Sequence, residues 1–353
     1  VESVEVKKSL TIFSSDGVEK TILAKPSNTD FIISLKKSKT KITGLQFAVG
    51  SNAILIEDPN QKITNCEIKE CLFKGSDPTI FLSQNADSNS IHDNTFTDDM
   101  QMKKASFNKI EKNTYDHARL LLDLDANDNL IKDNIIGNTS VGIQSNSDNG
   151  NKRNEIKNNF IGWDPNQKKL IPVEIGIDLK NVERYTIDGN TLIVESTSSQ
   201  NCHEIKLHGS SDNEIKNNVC GSDSLDQNTF IARRSILITN NSNNNTMESN
   251  SVLGSFMSAV EINESSHGNT VKNNFVGSEK NVFDEMLLKK FRLFGLLIAS
   301  NSHNNIVENN TFASLSTGIV LHESPRMNEI SNNKFGLDRT GTKIVITIAG
   351  VMI

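Results

Sequence analysis

The chain has 353 residues, of which 35% are hydrophobic, 5% aromatic and 23% charged, with a formal net charge of −6. That is thin apolar material for a globule of this length, and the acidic balance leaves no electrostatic footprint for nucleic acid. No apolar run is long enough to cross a bilayer, and the four cysteines fall in neither a disulfide framework nor a zinc-ligand spacing.

In chain order, one short unit returns from residue 42 onward. Ile42, Leu45 and Phe47 open the series, followed by Ile68, Cys71 and Phe73. From there each copy carries an asparagine anchor: Asn94, Asn113, Asn134, Asn159, Asn190, Asn218, Asn250, Asn274, Asn310 and Asn333. An apolar residue lies three before each anchor (Ile91 to Ile330), and another lies two after it (Phe96 to Phe335). Five before the anchor stands a second Asn in every copy but one, where Tyr185 replaces it. Thus NEIKNNFIG (154–162) returns as NEIKNNVCG (213–221) and nearly as NEISNNKFG (328–336). A fixed period decides the architecture. Amides held in phase with aliphatic residues argue against low-complexity disorder.

Ahead of most copies sits an apolar pair with one residue between, such as Ile80 with Leu82, Ile236 with Ile238, and Ile319 with Leu321. Such alternation predicts a short strand with one buried face. Each unit therefore reads as strand, turn, strand, Asn turn, strand and variable loop. Anchor spacings of 19, 21 and 25 residues along Asn94, Asn113, Asn134 and Asn159 each fit one solenoid coil, and the step of 36 to Asn310 implies an inserted loop. Asn suits the turns because it tolerates left-handed backbone angles and its side chain replaces a backbone partner. Stacked about 4.8 Å apart, such amides form a ladder, and twelve coils make a rod of roughly 58 Å.

This pattern resembles the right-handed parallel β-helix family, the pectate-lyase-like solenoids with short parallel-β-helix repeats. FIGWDPNQKKLIPVEIGIDL (160–179) and FGLDRTGTKIVITIAGVMI (335–353) also resemble the Gly-x-Asp loops of bacterial secreted and surface β-helix repeat proteins. The resemblance implies an all-β fold: a single-stranded right-handed parallel β-helix of about 12 coils with Asn ladders at its turns. It implies one continuous domain over residues 1–353, an exported protein, secreted or at the cell surface, and little about function, since the family holds lyases, epimerases, adhesins and inert rods. The closing IAGVMI reads as the first strand of a further coil. An uncapped end of this kind leads us to expect a longer natural chain, a covering partner, or end-to-end or side-to-side self-association.

Pectate-lyase-like enzymes place their groove on the outward face of the first strand. Between the inward pairs, the outward positions read as Phe81, Leu121, Gly142, Asp178, Lys206, Leu237, Glu261, Leu297, Val320 and Met352. At least half are apolar, which suits a face covered by folded-back loops or another protein better than a water-filled polysaccharide groove. The polar remainder gathers mid-chain as Asp178, Lys180, Glu204, Lys206, His208 and Glu261. Charges on neighbouring coils can simply pair. The sharper reading makes Lys206 or His208 a base, with Asp178 and Glu261 as charge partners or sugar contacts.

Other segments carry weaker signals. YDHAR puts Asp116, His117 and Arg119 at a loop entering a strand. Asp164, Asp223, Glu279 and Asp338 each follow a coil-ending Gly by two residues; they could collect calcium, although turn capping explains them too. Trp163 is the one plausible stacking platform for a sugar. Cys66 and Cys71 stand where two Asn would, Cys220 faces inward, and a Cys202–Cys220 pair stays open. The insertion 279–295 spaces Phe283, Met286, Leu287 and Phe291 as a loop or short helix would. The favoured function is a non-catalytic extracellular or cell-surface scaffold, an adhesive, assembly or glycan-contacting rod, whose partners are surface proteins or glycans. The alternative is a polysaccharide lyase or epimerase acting on uronic-acid polymers. Neither reading requires a cofactor, calcium remaining open.

Overall fold

Each repeat unit contributes one strand to each of three parallel sheets, so that a strand pairs with the strand three places further along the chain, or five places where the hairpin of Trp163–Asp164 with Lys169–Leu170 intervenes. The computed structural model describes residues 3–24, 31–48, 52–75, 78–147, 150–195, 202–221, 234–253, 255, 257–278, 294–313, 315–342, 344, 347 and 349–353. Among these, the first-strand sheet has 14 strands and the second- and third-strand sheets 13 each. The chain is a single-stranded right-handed parallel β-helix, the hand that parallel crossovers take. Its thirteen full coils exceed the expected twelve because the first coil was not legible. Strands Val4–Val6, Thr11–Phe13 and Ile22–Ala24 build that coil without Asn, and its inward Ile12 and Leu23 lie eleven residues apart instead of five. Ala349–Met352 adds the opening strand of a fourteenth coil, as IAGVMI implied. The helical spacing noted in 279–295 lies outside the described residues up to Phe294, where a strand begins.

The core is a set of vertical columns. One residue of every second strand, from Ile42 through Ile215 to Val307, is fully buried, and the third strands add Phe47, Phe73, Phe96 and Tyr115. Those four rings stack face to face with centroids 4.8 to 4.9 Å apart, the spacing of the coils themselves.

Two amide ladders run beside these columns. Asn113 Oδ1 accepts from the main-chain N–H of Asn94 at 3.0 Å and from its Nδ2 at 3.1 Å. The second proton of Asn94 Nδ2 goes to the carbonyl of Ile68 at 2.9 Å. The same contacts repeat up to Asn333. The buried turn is thereby paid in full with hydrogen bonds, as a dry interior requires. The left-handed conformation belongs to a different residue from the ladder amide. Asn158, Asn217 and Asn332, each just before an anchor, have φ of 52°, 56° and 55°. In an Asn-Asn pair the first residue turns the chain and the second bonds between coils.

The corner where the chain enters the first-strand sheet has its own column of small residues. Register places Gly142, Gly176, Glu204, Ser235, Ala259, Gly295 and Gly318 in line. A Cβ at Gly176 would stand 2.6 Å from the Glu204 carbonyl oxygen, and one at Gly318 would stand 2.4 Å from the Phe335 ring. Little beyond hydrogen fits there in most coils.

Candidate functional site

The outward face of the first-strand sheet is carried by the largest of the three parallel sheets, with 14 strands. Its central column reads Phe81, Gln101, Leu121, Gln144, Asp178, Lys206, Leu237, Glu261, Leu297, Val320 and Met352. Two corrections to the expected column follow. Gly142 is not outward: strand Thr139–Asn146 sets Ile143 and Ser145 inward and Gln144 outward, leaving Gly142 in the tight corner. Glu204 is not outward either, being 1% exposed in the same corner column. Alternation from Ile205 fails there because the ladder register skips Glu204 and three successive residues, His203, Glu204 and Ile205, are buried.

Asp178 and Lys206 are brought together as register partners on adjacent coils, with Lys206 Nζ 4.0 Å from Asp178 Oδ1. His208 is register partner to Lys180 and Thr239 on the neighbouring column. Its Nε2 accepts from Asn240 Nδ2 at 3.0 Å, which puts the ring proton on Nδ1. Burial, then the positive charges of Lys206 and Lys180, push the His208 pKa below its ordinary value, so the ring is neutral at pH 7.

Glu261 lies two coils beyond Lys206 and is engaged elsewhere. Its Oε2 accepts from Arg234 Nε and from Ser258 Oγ, the latter at 2.9 Å, and its Oε1 accepts from Asn263 Nδ2 at 2.6 Å. At 3% exposure, this carboxylate is held by three donors. Arg234 carries no repeat signal, since its side chain sits in the irregular corner that alternation does not reach; sequence reasoning missed it. Leu237 and Val320, at 7% and 2% exposure, are likewise largely out of water, as an apolar outward row requires.

The remaining candidates are dispersed. Arg119 donates to Asp99 through Nε at 2.9 Å, Asp116 accepts from Asn138 Nδ2 at 2.6 Å, and His117 stands exposed at φ 63°. The YDHAR residues therefore form no relay, although His117 lines a shallow cavity of about 310 Å³ with Asn138, Ser140, Glu174 and Glu195. Trp163 is half-buried in a hairpin of Trp163–Asp164 with Lys169–Leu170, next to Ile171, which packs over Gly137. Asp164 caps its own turn by accepting from the N–H groups of Asn166 and Gln167 at 2.8 and 3.1 Å. Asp338 does the same for Thr342 at 3.0 Å, while Asp223 and Glu279 lie outside the described residues. All four cysteines are buried thiols outside any disulfide. Cys66 and Cys71 close the lower ends of the two ladders, their N–H groups donating to Asn89 and Asn94 Oδ1 at 2.9 and 3.0 Å.

Chemically, the face offers the ammonium groups of Lys206 and the exposed Lys180, the neutral imidazole of His208 and several amides beside half-buried apolar side chains. Glu261 is held by three donors, and Asp178 stands 4.0 Å from Lys206 Nζ.

The fold defines a right-handed parallel β-helix protein. Residues 5–170 match the profile of the family described as periplasmic copper-binding protein (NosD). No curated protein matches the chain in sequence. Among solved structures, the chain is similar to tailspike protein 3 of bacteriophage CBA120, at 10% identity and a TM-score of 0.57. That alignment covers 91% of this chain and 52% of the tailspike, so the chain spans about half its length. It is also similar to DFA-IIIase from Arthrobacter chlorophenolicus A6 in complex with GF2, at 12% identity and a TM-score of 0.52, covering 85% of this chain and 80% of that one. The Dettilon tailspike follows at 13% identity and 0.50, covering 92% and 62%. At these identities the likeness is one of fold.

Copper, named in the family description, was tested against the side chains present. Among the described residues no three of His, Cys, Asp or Glu converge as metal ligands, and burial raises the Cys66, Cys71 and Cys220 thiols above their ordinary pKa. A closed site of three or four protein ligands does not fit these residues.

Proposed function

We propose that the chain is an exported β-helix scaffold whose first-strand face contacts glycans or other surface proteins without transforming them. One observation carries this reading: both oxygens of Glu261 are occupied by Arg234, Ser258 and Asn263, while Asp178 faces Lys206. A lyase or epimerase needs a base with a free lone pair beside a group that stabilises the charge formed on the uronate. Here Glu261 is committed to its neighbours, and Asp178 faces the Lys206 ammonium at 4.0 Å. The ammonium of Lys206 and the Nδ1–H of His208 remain as donors suited to sugar hydroxyl or carboxylate oxygens. Export agrees with the family description, which names a periplasmic protein, and with the tailspike likeness.

The test is a panel of acidic and neutral polysaccharides, with and without calcium, measured for binding by calorimetry and for unsaturated product by ultraviolet absorbance. The expected outcome is binding of at least one acidic polymer, weakened in Lys206→Ala, with no product from wild type. Product that disappears in Lys206→Ala would establish the lyase and overturn the scaffold. Absence of binding across the panel would remove glycans and leave protein partners.

A further inference from the structure

Two pairs of register partners make a square on the first-strand face. Asp178 faces Lys206, and Lys180 faces His208 across the same two coils. Strand alternation turns all four side chains outward: Asp178, Lys206 and His208 are half-buried, and Lys180 is exposed. The one acid of the square stands 4.0 Å from the first ammonium, so the second ammonium leaves the square with a net positive charge. An anionic group is the ligand that such an arrangement of charges and donors fits.

His208 is the member of the square that changes charge near neutral pH. Lys206 on its own strand and Lys180 on the preceding coil oppose a second proton on the ring, while Glu264 and Asp178 favour one. Glu264 already accepts from Thr239 Oγ1 at 2.8 Å. Burial acts in the same direction as the lysines, and the ring stays neutral, its Nε2 accepting from Asn240 Nδ2 at 3.0 Å. An incoming anion reverses this balance, because it offsets both ammonium groups and sets a negative charge beside the imidazole. A proton from solvent then adds to the Nε2 lone pair. The Nδ1–H is kept as a donor, and Asn240 turns its amide to offer Oδ1 in place of Nδ2.

We propose that Asp178, Lys180, Lys206 and His208 form a proton-coupled site for a sugar carboxylate, in which binding of the anion draws one proton onto His208. The inference rests on the reading of this face as a glycan-contacting surface and adds the regulation of that contact by pH. The complex holds a proton that the free protein lacks, so affinity rises as pH falls, by at most about tenfold per pH unit for a single linked proton.

The experiment is calorimetry of the full chain with oligogalacturonate, whose carboxylates stay ionised above about pH 5. Binding is measured near pH 7.5 and near pH 5.5, on either side of the ordinary histidine range, in two buffers of different ionisation enthalpy, with a neutral oligosaccharide of equal length as control. Wild type should bind the acidic oligomer more tightly at the lower pH and take up protons as it does so, and the neutral oligomer should show neither effect. His208→Gln, which keeps an N–H donor, should bind with an affinity that no longer changes with pH and without proton uptake. Asn240→Asp, which fixes an acceptor opposite Nε2, should move the rise in affinity to higher pH. Circular dichroism and melting temperature check that each variant folds, and His208→Asn stands in if His208→Gln does not. Equal affinity at the two pH values without proton uptake overturns this inference and leaves the glycan-contacting surface standing, as does proton uptake that persists in His208→Gln. An acidic oligomer that binds at neither pH overturns the inference together with the glycan reading of the face.

Discussion

The phenolic oxygen of Tyr185 accepts a hydrogen bond from Asn154 Nδ2 at 2.7 Å, closing the first amide ladder at the one coil where its asparagine is replaced. The same oxygen lies 3.1 Å from Ser145 Oγ, and the Tyr185 N–H still donates to Asn213 Oδ1 at 2.8 Å. The side-chain amide of Asn154 therefore keeps two acceptors at the coil where the tyrosine stands. Tyr185→Phe keeps the ring and strands one proton of Asn154, whose other proton serves Ala126 at 2.7 Å. Leaving a buried donor unpaired costs about 1–3 kcal/mol. A urea melt should show that loss as a lower midpoint with an unchanged slope; an unchanged midpoint would mean that the phenol carries no part of the ladder.

Inside the columns the cost of a polar side chain is larger. Ile215 is fully buried between Ile187 and Met247. Replacing it by Asp should destabilise the rod by about 3–5 kcal/mol, since the carboxylate would have neither partner nor water. Thermal unfolding measures this directly, and an unmoved transition would refute the register.

Ile215 also shows what was legible beforehand. Wherever Asn and Ile keep a fixed distance, strand, turn and inward face follow from the spacing alone, because each side chain repeats its neighbours' surroundings one coil away. Legibility ended where the backbone leaves the regular pleat. Glu204 precedes inward Ile205 and so reads as outward by alternation, yet it lies in the corner column beside Gly176. Gly142 was misplaced for the same reason. The site suffered most, because Arg234 and Glu204 both belong to that corner, whereas Asp178 and Lys206 lie on the regular pleat as register partners.

The Arg234–Glu261 pair predicts a different outcome from the surface charges. With side chains 21% and 4% exposed, it is the most deeply buried ion pair on the first-strand face among the described residues. Arg234→Ala would leave Glu261 buried with only the neutral donors Ser258 and Asn263, at a cost of about 3–5 kcal/mol. Lys206→Ala, which removes a partly exposed charge from Asp178, should cost less than about 1 kcal/mol. Comparing the two melts separates a structural pair from a contact available to ligand. Equal losses would show that both pairs hold the face together.

Glu204 gives the rod a dependence on pH that its surface carboxylates do not share. Burial, opposed in part by the Ser235 side chain on the next coil, pushes the Glu204 pKa from 4.5 up to about 8. The same carboxyl adds to the burial that raises the Cys220 thiol, placing the two groups together in the interior. Between these two pKa values the folded state holds a proton that the unfolded state has released, so stability falls as pH rises. The full contribution is present below 4.5, declines by about 1.4 kcal/mol per pH unit, and levels off above about 8. Glu204→Gln removes the titration while keeping the volume. Urea midpoints for wild type and variant should agree near pH 4.5 and diverge towards pH 9, the variant being the more stable. The difference cancels contributions from histidines, including His208, whose lowered pKa favours the folded state as pH rises through 6.5. Parallel pH profiles for the two proteins would mean that Glu204 is ionised in the fold and has found a partner or water inside the corner.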